Sequence, residues 1–269
     1  MKPNNRHRVL IFDSGVGGLS ISKEIKSQIN NLSITYVADN RTYPYGTLSE
    51  QALIERIENL FPQLIERFQP EAIVIACNSA STLVLDHLRQ LTPIPVIGVV
   101  PAIKPAAEQT QTQTIGLLAT PGTVQRAYTS RLIEDFAPHC TVIRIGSHEL
   151  VDLAEDKLRG KALNLEILVR VLGPFCENKY LDSVVLGCTH FPFLRNEIND
   201  ILGAHVKLID SGSAIARRTE FILKSVSCYT ATTTATPDCF IFTKEDEAAD
   251  ALAPHLSQHG FQRVEFIDH

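Results

Sequence analysis

The chain has 269 residues, of which 44% are hydrophobic and 20% are charged, a balance typical of a folded globular protein. Its formal net charge of −5 argues against a nucleic-acid partner, because binding along phosphate backbones depends on clustered lysine and arginine. No apolar run approaches the roughly 18 residues of a membrane span, and the start lacks the apolar core of a signal peptide. We therefore expect a cytoplasmic protein with no membrane partner.

Eight short apolar runs are typical of buried strands in a parallel sheet. Helical periodicity fills most of the gaps, and strands that alternate with helices predict an α/β fold. The clearest helix follows Thr47, which pairs with Glu50 as a capping box, and Pro62 should kink it. The predicted strands are 9–12, 34–38, 72–76, 96–100, 115–119, 142–145, 183–187 and 206–209.

The first four predicted strands recur about 106 to 112 residues later, which indicates a duplicated unit. The best local match sets AIVIACNSA (72–80) against SVVLGCTHF (183–191). We predict two similar parallel-sheet α/β domains related by pseudo-twofold symmetry, with the active site in the cleft between them. The first domain comprises 1–98 plus 211–269 and the second comprises 99–210. The tail after residue 210 is too short for a third domain, so it should pack on the first.

Two of the six cysteines occupy equivalent places in this repeat. Cys77 and Cys188 each follow a predicted strand and precede polar residues. The absence of any CxxC pair removes the common zinc spacings, so no metal site is predicted. The other four cysteines lack this setting and are expected in the core or on the surface: Cys140, Cys176, Cys228 and Cys239.

Ligands of open α/β sheets bind beyond the carboxyl ends of the strands. Two thiols on opposite sides of a cleft suit the inversion of a carbon stereocentre, because one removes a proton and the other delivers one. Two readings stay open: a single cysteine nucleophile with a histidine base, and cysteines that merely fill strand ends. The strand-end rule selects Asp13, Ser14, Cys77, Asn78, Ser79, Thr120, Cys188, Thr189 and His190.

Six further segments stand out along the chain. They are DSGVGGLS (13–20), DNRTYPYG (39–46), ACNSAST (76–82), GVVPAIKPA (98–106), GCTHFPFL (187–194) and IDSGSAIA (209–216). In these motifs and in their order, between residue 9 and about residue 218, the chain resembles the glutamate racemase family. The combination of DSGVGG, YPYG and GCTHFP points to the glutamate branch of the aspartate/glutamate racemase superfamily.

The resemblance implies a cofactor-independent enzyme that interconverts L- and D-glutamate and supplies D-glutamate for peptidoglycan. Cys77 and Cys188 would be the two proton donors and acceptors. Asp13 would serve Cys77, while His190 would serve Cys188 with Glu155 behind it. No lysine stands in either strand-end loop for a pyridoxal Schiff base, so no cofactor is expected.

The chain departs from the family pattern in two places. Ser79 stands where threonine is usual, which keeps the hydroxyl and loses a methyl group. The segment 146–155 lacks the usual prolines, so Glu149 competes with Glu155 as the second acid. The resemblance assigns substrate contacts to Asp13, Ser14, Tyr45, Gly46, Asn78, Ser79, Thr120, Thr189 and His190.

The sequence leaves several alternatives open. Another racemase of the superfamily, acting on aspartate or a hydantoin, is the nearest one. A cysteine hydrolase and a non-enzymatic binding protein are rivals of different classes. A homodimer and an activating cell-wall precursor are further partners on which the sequence does not decide.

Overall fold

The computed structural model describes residues 6–226 and 237–267, and these fall into two compact units. The first unit holds the described residues up to Val99 and from Gly212 onward, and the second is Val100–Ser211. The division lies one residue after each predicted boundary. Within the described residues, no helix has the length and apolar character needed to cross a membrane.

Ten β-strands form within the described residues, and every ladder between them is parallel. The central strands are almost continuously apolar and buried, as parallel strands must be when helices cover both faces. The strands are β1 (His7–Asp13), β2 (Leu32–Ala38), β3 (Ala72–Ile75), β4 (Val96–Gly98), β5 (Thr114–Ala119), β6 (Thr141–Gly146), β7 (Ser183–Leu186), β8 (Lys207–Ile209), β9 (Cys239–Phe242) and β10 (Arg263–Phe266).

Helices connect these strands. The helix after β3 carries the residues that directly follow Cys77, whereas Thr189 and His190 lie in a turn before the helix that begins at Arg195. The helices are α1 (Leu19–Gln28), α2 (Glu50–Phe68), α3 (Asn78–Leu91), α4 (Ile103–Gln109), α5 (Pro121–Gln125), α6 (Ala127–Phe136), α7 (Glu149–Leu158), α8 (Leu165–Cys176), α9 (Arg195–Leu202), α10 (Gly212–Val226) and α11 (Glu247–Leu252).

The strand order shows the same connectivity in both units. In the first unit the order is β10-β9-β2-β1-β3-β4, and in the second it is β6-β5-β7-β8. Each core is thus built on one central strand, β1 or β5, flanked by the next two strands of the chain. This confirms the predicted fold of two similar parallel-sheet α/β domains. The C-terminal segment adds β9 beside β2, so it extends the first sheet as expected.

The N-cap of helix α2 lies two residues after the predicted one. The Ser49 side chain accepts a hydrogen bond from the Ala52 backbone N–H (3.2 Å), so Ser49 is the N-cap. The predicted capping box at Thr47 is wrong, because Thr47 lies in a short 3₁₀ turn and its hydroxyl donates to the Pro44 carbonyl (2.9 Å). The helix continues through Pro62. Proline has no backbone N–H to donate, but Pro62 is exposed, so the missing hydrogen bond leaves no buried group without a partner.

A glycine lets helix α8 pack closely on the second sheet. A Cβ atom on Gly116 of β5 would lie 2.8 Å from the Phe175 ring and 2.9 Å from the Val184 side chain. Cβ atoms in proteins essentially never lie this close to a neighbouring heavy atom. Phe175 is fully buried, so its ring has little freedom to move away. The space above β5 is therefore filled by the Phe175 ring, which leaves no room for a larger residue.

We expect Gly116→Ala to lower the free energy of unfolding by about 1–3 kcal/mol, because overpacking a well-filled core forces neighbours out of their rotamers. The measurement is urea or thermal unfolding followed by circular dichroism. Phe175→Leu should reduce the cost of Gly116→Ala in the double variant, since it removes ring atoms. If the two changes are simply additive, the contact between Gly116 and Phe175 does not set the packing.

Candidate active site

The first group of predicted site residues surrounds the thiol of Cys77. Cys77 follows β3, caps helix α3 and is 7% exposed. Asp13, at the end of β1, is 1% exposed, and its carboxylate accepts hydrogen bonds from the Gly18 N–H (2.5 Å) and the Ser14 hydroxyl (3.3 Å). The same Ser14 hydroxyl lies 3.6 Å from the Cys77 sulfur. A hydroxyl group thus joins the carboxylate to the thiol.

The glycine-rich turn after β1 holds the Asp13 carboxylate in place. A Cβ atom on Gly18 would lie 2.8 Å from both the Ala76 Cβ and the Tyr36 hydroxyl, and 3.1 Å from the Asp13 carboxylate. Only glycine lets the turn approach this closely. The Tyr36 hydroxyl donates to the Gly15 carbonyl (3.1 Å), which fixes the far side of the turn.

Asn78 and Ser79 form the first turn of α3, directly after Cys77, and each is 4% exposed. Among the described residues, the Asn78 side-chain oxygen is one of the few buried polar atoms with no hydrogen-bond partner. A buried acceptor of this kind costs free energy unless it is matched, so it is suited to an N–H donor of a ligand. The helix N-terminus beside it favours negative groups.

The sequence predicts that Tyr45 lines the substrate pocket. In the structure its hydroxyl group is hydrogen-bonded to a buried carboxylate of the protein. The Tyr45 hydroxyl donates to Asp39 (2.5 Å), and its ring packs near Phe12 with centroids 6.2 Å apart. Burial, together with the charge of Asp39, raises the pKa of Tyr45 well above its ordinary value. The phenol is therefore a neutral donor to Asp39, and Gly46 follows it in a partly buried 3₁₀ turn.

Asp39 is a buried hub that the sequence reasoning missed. Its carboxylate is 0% exposed and receives two hydrogen bonds from Arg56 (2.9 and 2.5 Å) and one from Thr243 (2.6 Å). Burial favours the neutral acid, but these hydrogen bonds and the one from Tyr45 hold the pKa of Asp39 below its ordinary value. The strand-end rule would have found it, since Asp39 directly follows β2.

The second group of predicted site residues surrounds Cys188, which follows β7 and is 7% exposed. Its sulfur lies 3.7 Å from His190 Nδ1, and His190 Nε2 lies 3.1 Å from Glu155 Oε1. Glu155 projects from α7, and it is only 7% exposed. Lys157 of the same helix donates to the Phe193 carbonyl (2.8 Å), which ties α7 to the turn after His190.

The structure places Glu155, and not Glu149, against the imidazole. Glu149 is an exposed residue at the start of α7, paired with Arg170 (2.6 Å). Burial opposes charge on His190, but its hydrogen bonds to Cys188 and Glu155 raise the pKa of His190 well above its ordinary value. Burial also opposes charge on Glu155, but the hydrogen bond to His190 and the nearby positive charges hold the pKa of Glu155 below its ordinary value.

Two further predicted substrate contacts are Thr120 and Thr189, both buried. The Thr120 side chain caps α5 by accepting from the Thr123 N–H (3.3 Å), and its hydroxyl donates to that of Thr123 (2.9 Å). Thr189, between Cys188 and His190, is 4% exposed. Whether their hydroxyls touch a substrate stays a prediction.

The other described cysteines differ from these two in burial or in surroundings. Cys140 is partly buried, Cys176 is exposed, and Cys228 lies outside the described residues. Burial raises the pKa of Cys239 to about 11, so this thiol stays protonated at neutral pH. In the described part of the chain, no three His, Cys, Asp or Glu side chains are grouped so that they could hold a metal ion.

Comparisons with known proteins agree in pointing to one family. The Asp/Glu/Hydantoin racemase family model matches residues 26–219. The chain is 45% identical to a glutamate racemase of Vibrio vulnificus strain YJ016 over 265 residues, covering 98% of each chain. Its structure matches that of Escherichia coli glutamate racemase in complex with L-glutamate and the activator UDP-MurNAc-Ala, with a TM-score of 0.92, 43% identity and coverage of 97% and 98%. A glutamate racemase of Francisella tularensis in complex with D-glutamate matches with a TM-score of 0.80, 28% identity and 98% coverage of both chains.

We expect the buried pair of His190 and Glu155 to stabilise the folded protein most between about pH 4.5 and pH 6.5, the ordinary pKa values of the two groups. The pKa of His190 is raised by folding, so its contribution is lost as the pH rises above 6.5 and through the folded value. The pKa of Glu155 is lowered, so its contribution is lost as the pH falls below 4.5.

The measurement is the free energy of unfolding of the wild type and of His190→Gln from pH 5.5 to pH 9. The variant should be less stable by about 3 kcal/mol at pH 5.5, the scale for breaking a buried ion pair. The difference should shrink as the pH rises. His205→Gln, which removes an exposed imidazole of the same unit, is the matched control. A difference for His190→Gln that stays constant across this range would contradict the charged pair.

Proposed function

The chain belongs to the Asp/Glu/hydantoin racemase family, and we propose that it interconverts L- and D-glutamate by transferring protons with two cysteines. The observation that carries this proposal is the duplicated thiol. Cys77 and Cys188 follow equivalent strands, β3 and β7, and each buried sulfur has its own polar partners leading to a buried carboxylate. The names of the relatives and the glutamate bound in two similar structures support glutamate as the substrate.

In the proposed reaction, the two sulfurs act on opposite faces of the α-carbon. The Cys188 thiolate removes the α-proton of L-glutamate, so a C–H bond breaks and an S–H bond forms. The Cys77 thiol then gives its proton to the other face, which forms D-glutamate and leaves a Cys77 thiolate. The reverse direction starts from Cys77. Both transfers use side chains of this chain, and the proposal includes no cofactor.

Each sulfur is assisted by the groups around it. The charged His190 stabilises negative charge on the Cys188 sulfur and is itself held by Glu155. On the other side, Ser14 links Cys77 to Asp13 at distances of 3.6 and 3.3 Å. The two thiols, being 7% exposed, lie where water is largely excluded, which strengthens these interactions.

The α-proton of an amino acid is weakly acidic, so the site must stabilise negative charge that develops on the substrate. Backbone N–H groups at the start of α3 and the hydroxyls of Ser79 and Thr189 are the groups we assign to the substrate carboxylates, while the Ser14 hydroxyl donates to Asp13. The unpartnered oxygen of Asn78 is the acceptor we assign to the ammonium group. The single methyl lost at Ser79 leaves the hydroxyl contact intact.

In a bacterial cell this activity would supply D-glutamate for peptidoglycan, and we propose that the enzyme acts in the cytoplasm. Aspartate and hydantoin racemases belong to the same family, so aspartate is the first alternative substrate to test. A cysteine hydrolase would need only one thiol, so the polar groups around the other cysteine would have no function in it.

We expect L-glutamate turned over in deuterated water to give D-glutamate that carries deuterium at Cα from the first turnover. Cys77, equilibrated with solvent, delivers deuterium, whereas the proton removed by Cys188 stays on its sulfur. The remaining L-glutamate should therefore stay mostly protonated at low conversion. The measurement is the mass spectrum of each separated enantiomer, with no cofactor added.

Cys77→Ala and Cys188→Ala should each abolish this conversion and keep the fold, because each removes the acid–base group of one face. Cys140→Ala is the matched control, since that thiol is partly buried in the second unit and is far from both Cys77 and Cys188 in the sequence. Early deuterium in the recovered L-glutamate equal to that in the product would contradict two separate bases. Turnover of L-aspartate but not L-glutamate would favour the alternative substrate.

A pocket in the first unit supports regulation by an anionic ligand. It has a volume of about 600 Å³ and lies among the end of α3, strand β4 and helix α10. Its lining combines apolar residues, among them Ile94, Ile215 and Ile222, with two arginines, Arg89 and Arg218. Two arginines beside apolar walls suit a ligand with phosphates and a ring system. We propose that a cell-wall precursor binds here, as the activator in the similar Escherichia coli structure suggests.

Replacing Arg218 by Met should weaken activation by UDP-MurNAc-Ala about tenfold, since one charge-assisted contact to a phosphate is lost. The measurement is the ratio of activated to basal racemisation rate at increasing activator concentration. Lys224→Met, on the same helix and outside the pocket lining, is the matched control. Equal activation of the wild type and Arg218→Met would remove this pocket as the activator site. A homodimer stays a prediction.

A further inference from the structure

Three side chains, Cys188, His190 and Glu155, form a hydrogen-bonded series that we call the second relay. An arginine contacts the far end of this relay, and the sequence motifs assign it no role. Arg159 follows helix α7, and its Nη2 lies 2.5 Å from Glu155 Oε2. The other oxygen of Glu155 faces His190 Nε2 at 3.1 Å. The Arg159 side chain is only 15% exposed, so solvent screens this pair weakly. The Glu155 carboxylate is thus shared between an imidazole and a guanidinium.

A second carboxylate close to Glu155 gives the positive charge of Arg159 an electrostatic role. Asp152 lies one turn before Glu155 on the same helix, and the two carboxylates interact. Burial and the charge of Glu155 raise the pKa of Asp152, which shows that the two carboxylates repel each other. A guanidinium does not lose its proton in proteins, so Arg159 supplies a permanent positive charge that offsets this repulsion.

The geometry also fixes the direction of the carboxylate. Arg159 holds Oε2, so Oε1 is left to face the imidazole, and the imidazole in turn presents Nδ1 to the Cys188 sulfur. The Arg159 backbone N–H donates to the Glu155 carbonyl (3.1 Å), so both groups belong to the closing turn of α7. A proton on Glu155 would cancel the charge that holds His190 charged, and the guanidinium opposes that protonation.

We propose that Arg159 is a positioning residue for the proton transfer at Cys188, acting through Glu155 and His190 and without touching the substrate. The proposal rests on the two-cysteine function proposed above. It assigns Arg159 to one of the two half-reactions only. Arg159→Met should therefore slow removal of the α-proton from L-glutamate, while delivery and removal at Cys77 keep their intrinsic rates.

The test must respect a constraint of all racemases. Because the equilibrium constant between enantiomers is one, kcat/KM falls by the same factor in both directions, whichever step is slowed. The isotope effect separates the steps. With L-glutamate the Cα–D bond is broken by Cys188, and with D-glutamate it is broken by Cys77. The experiment measures kcat/KM for L- and D-glutamate with protium or deuterium at Cα.

For Arg159→Met we expect kcat/KM to fall about tenfold in both directions, the scale seen for outer partners of a reactive group. The isotope effect should rise with L-glutamate and fall toward one with D-glutamate. Arg159→Lys should restore part of the rate and move both isotope effects back toward the wild type, because the positive charge returns. A role limited to folding would lower the rate without changing either isotope effect.

Two comparisons complete the design. Arg170→Met breaks an exposed ion pair between Arg170 of α8 and Glu149 of α7, and it should leave the rates and both isotope effects as in the wild type. Asp13→Asn should give the opposite pattern, with a larger isotope effect from D-glutamate. If Arg159→Met fails to fold, Arg159→Gln carries the test.

Unchanged isotope effects, or a wild-type rate, in the Arg159 variants would overturn the role of Arg159 and leave the proposed function standing. The proposed function itself fails if the wild-type chain does not racemise glutamate, or if Cys77→Ala or Cys188→Ala keeps the activity. The two failures are therefore distinguishable.

Discussion

Buried carboxylates set the main physical constraint on this molecule. Asp13, Asp39 and Glu155 are 1%, 0% and 7% exposed, and taking an ion out of water costs several kcal/mol unless nearby groups replace the lost hydration. Each carboxylate is matched by a different set of donors. Asp13 uses backbone N–H groups of a glycine turn, Asp39 uses Arg56 with three hydroxyls, and Glu155 uses an imidazole with a guanidinium. Because a mismatched ion would be costly, these contacts hold the segments that carry the reactive groups.

This constraint also explains why the C-terminal segment belongs to the first unit. Strand β9 pairs with β2, and this register brings Thr243, which follows β9, to the Asp39 carboxylate. The Asp39 backbone N–H in turn donates to the Asp13 carbonyl (2.8 Å). Residues more than 200 positions apart are thus joined through one buried charge to the turn that holds Asp13. The last strands therefore support the loop after β1 as well as closing the sheet edge.

The features that the sequence revealed are those with short-range causes. The eight predicted strands were visible as apolar runs, and six of them are largely buried, as expected of strands covered on both faces, while β6 and β8 are more exposed. Asp13, Cys77 and Cys188 followed from their places at strand ends. The contact of Asp39 with Thr243 depends on where β9 inserts, and no local pattern carries that information. Likewise, Glu149 and Glu155 stand six residues apart, so they lie about 240° apart around a helix. Only the packing of α7 against the turn after His190 decides which of them faces the imidazole.

The same strand arrangement supports two different surroundings for a thiol. Near Cys77 the partners are a hydroxyl and a carboxylate, which place negative charge close to the sulfur. Near Cys188 the partner is an imidazole whose pKa is raised, which places positive charge there. The two-base reaction proposed above needs one sulfur that holds its proton and one that has lost it when L-glutamate binds, and the opposite charges near the two sulfurs fit that proposal. A duplicated fold can therefore serve an inversion, because the repeat supplies two equivalent positions and the local charges make them chemically different.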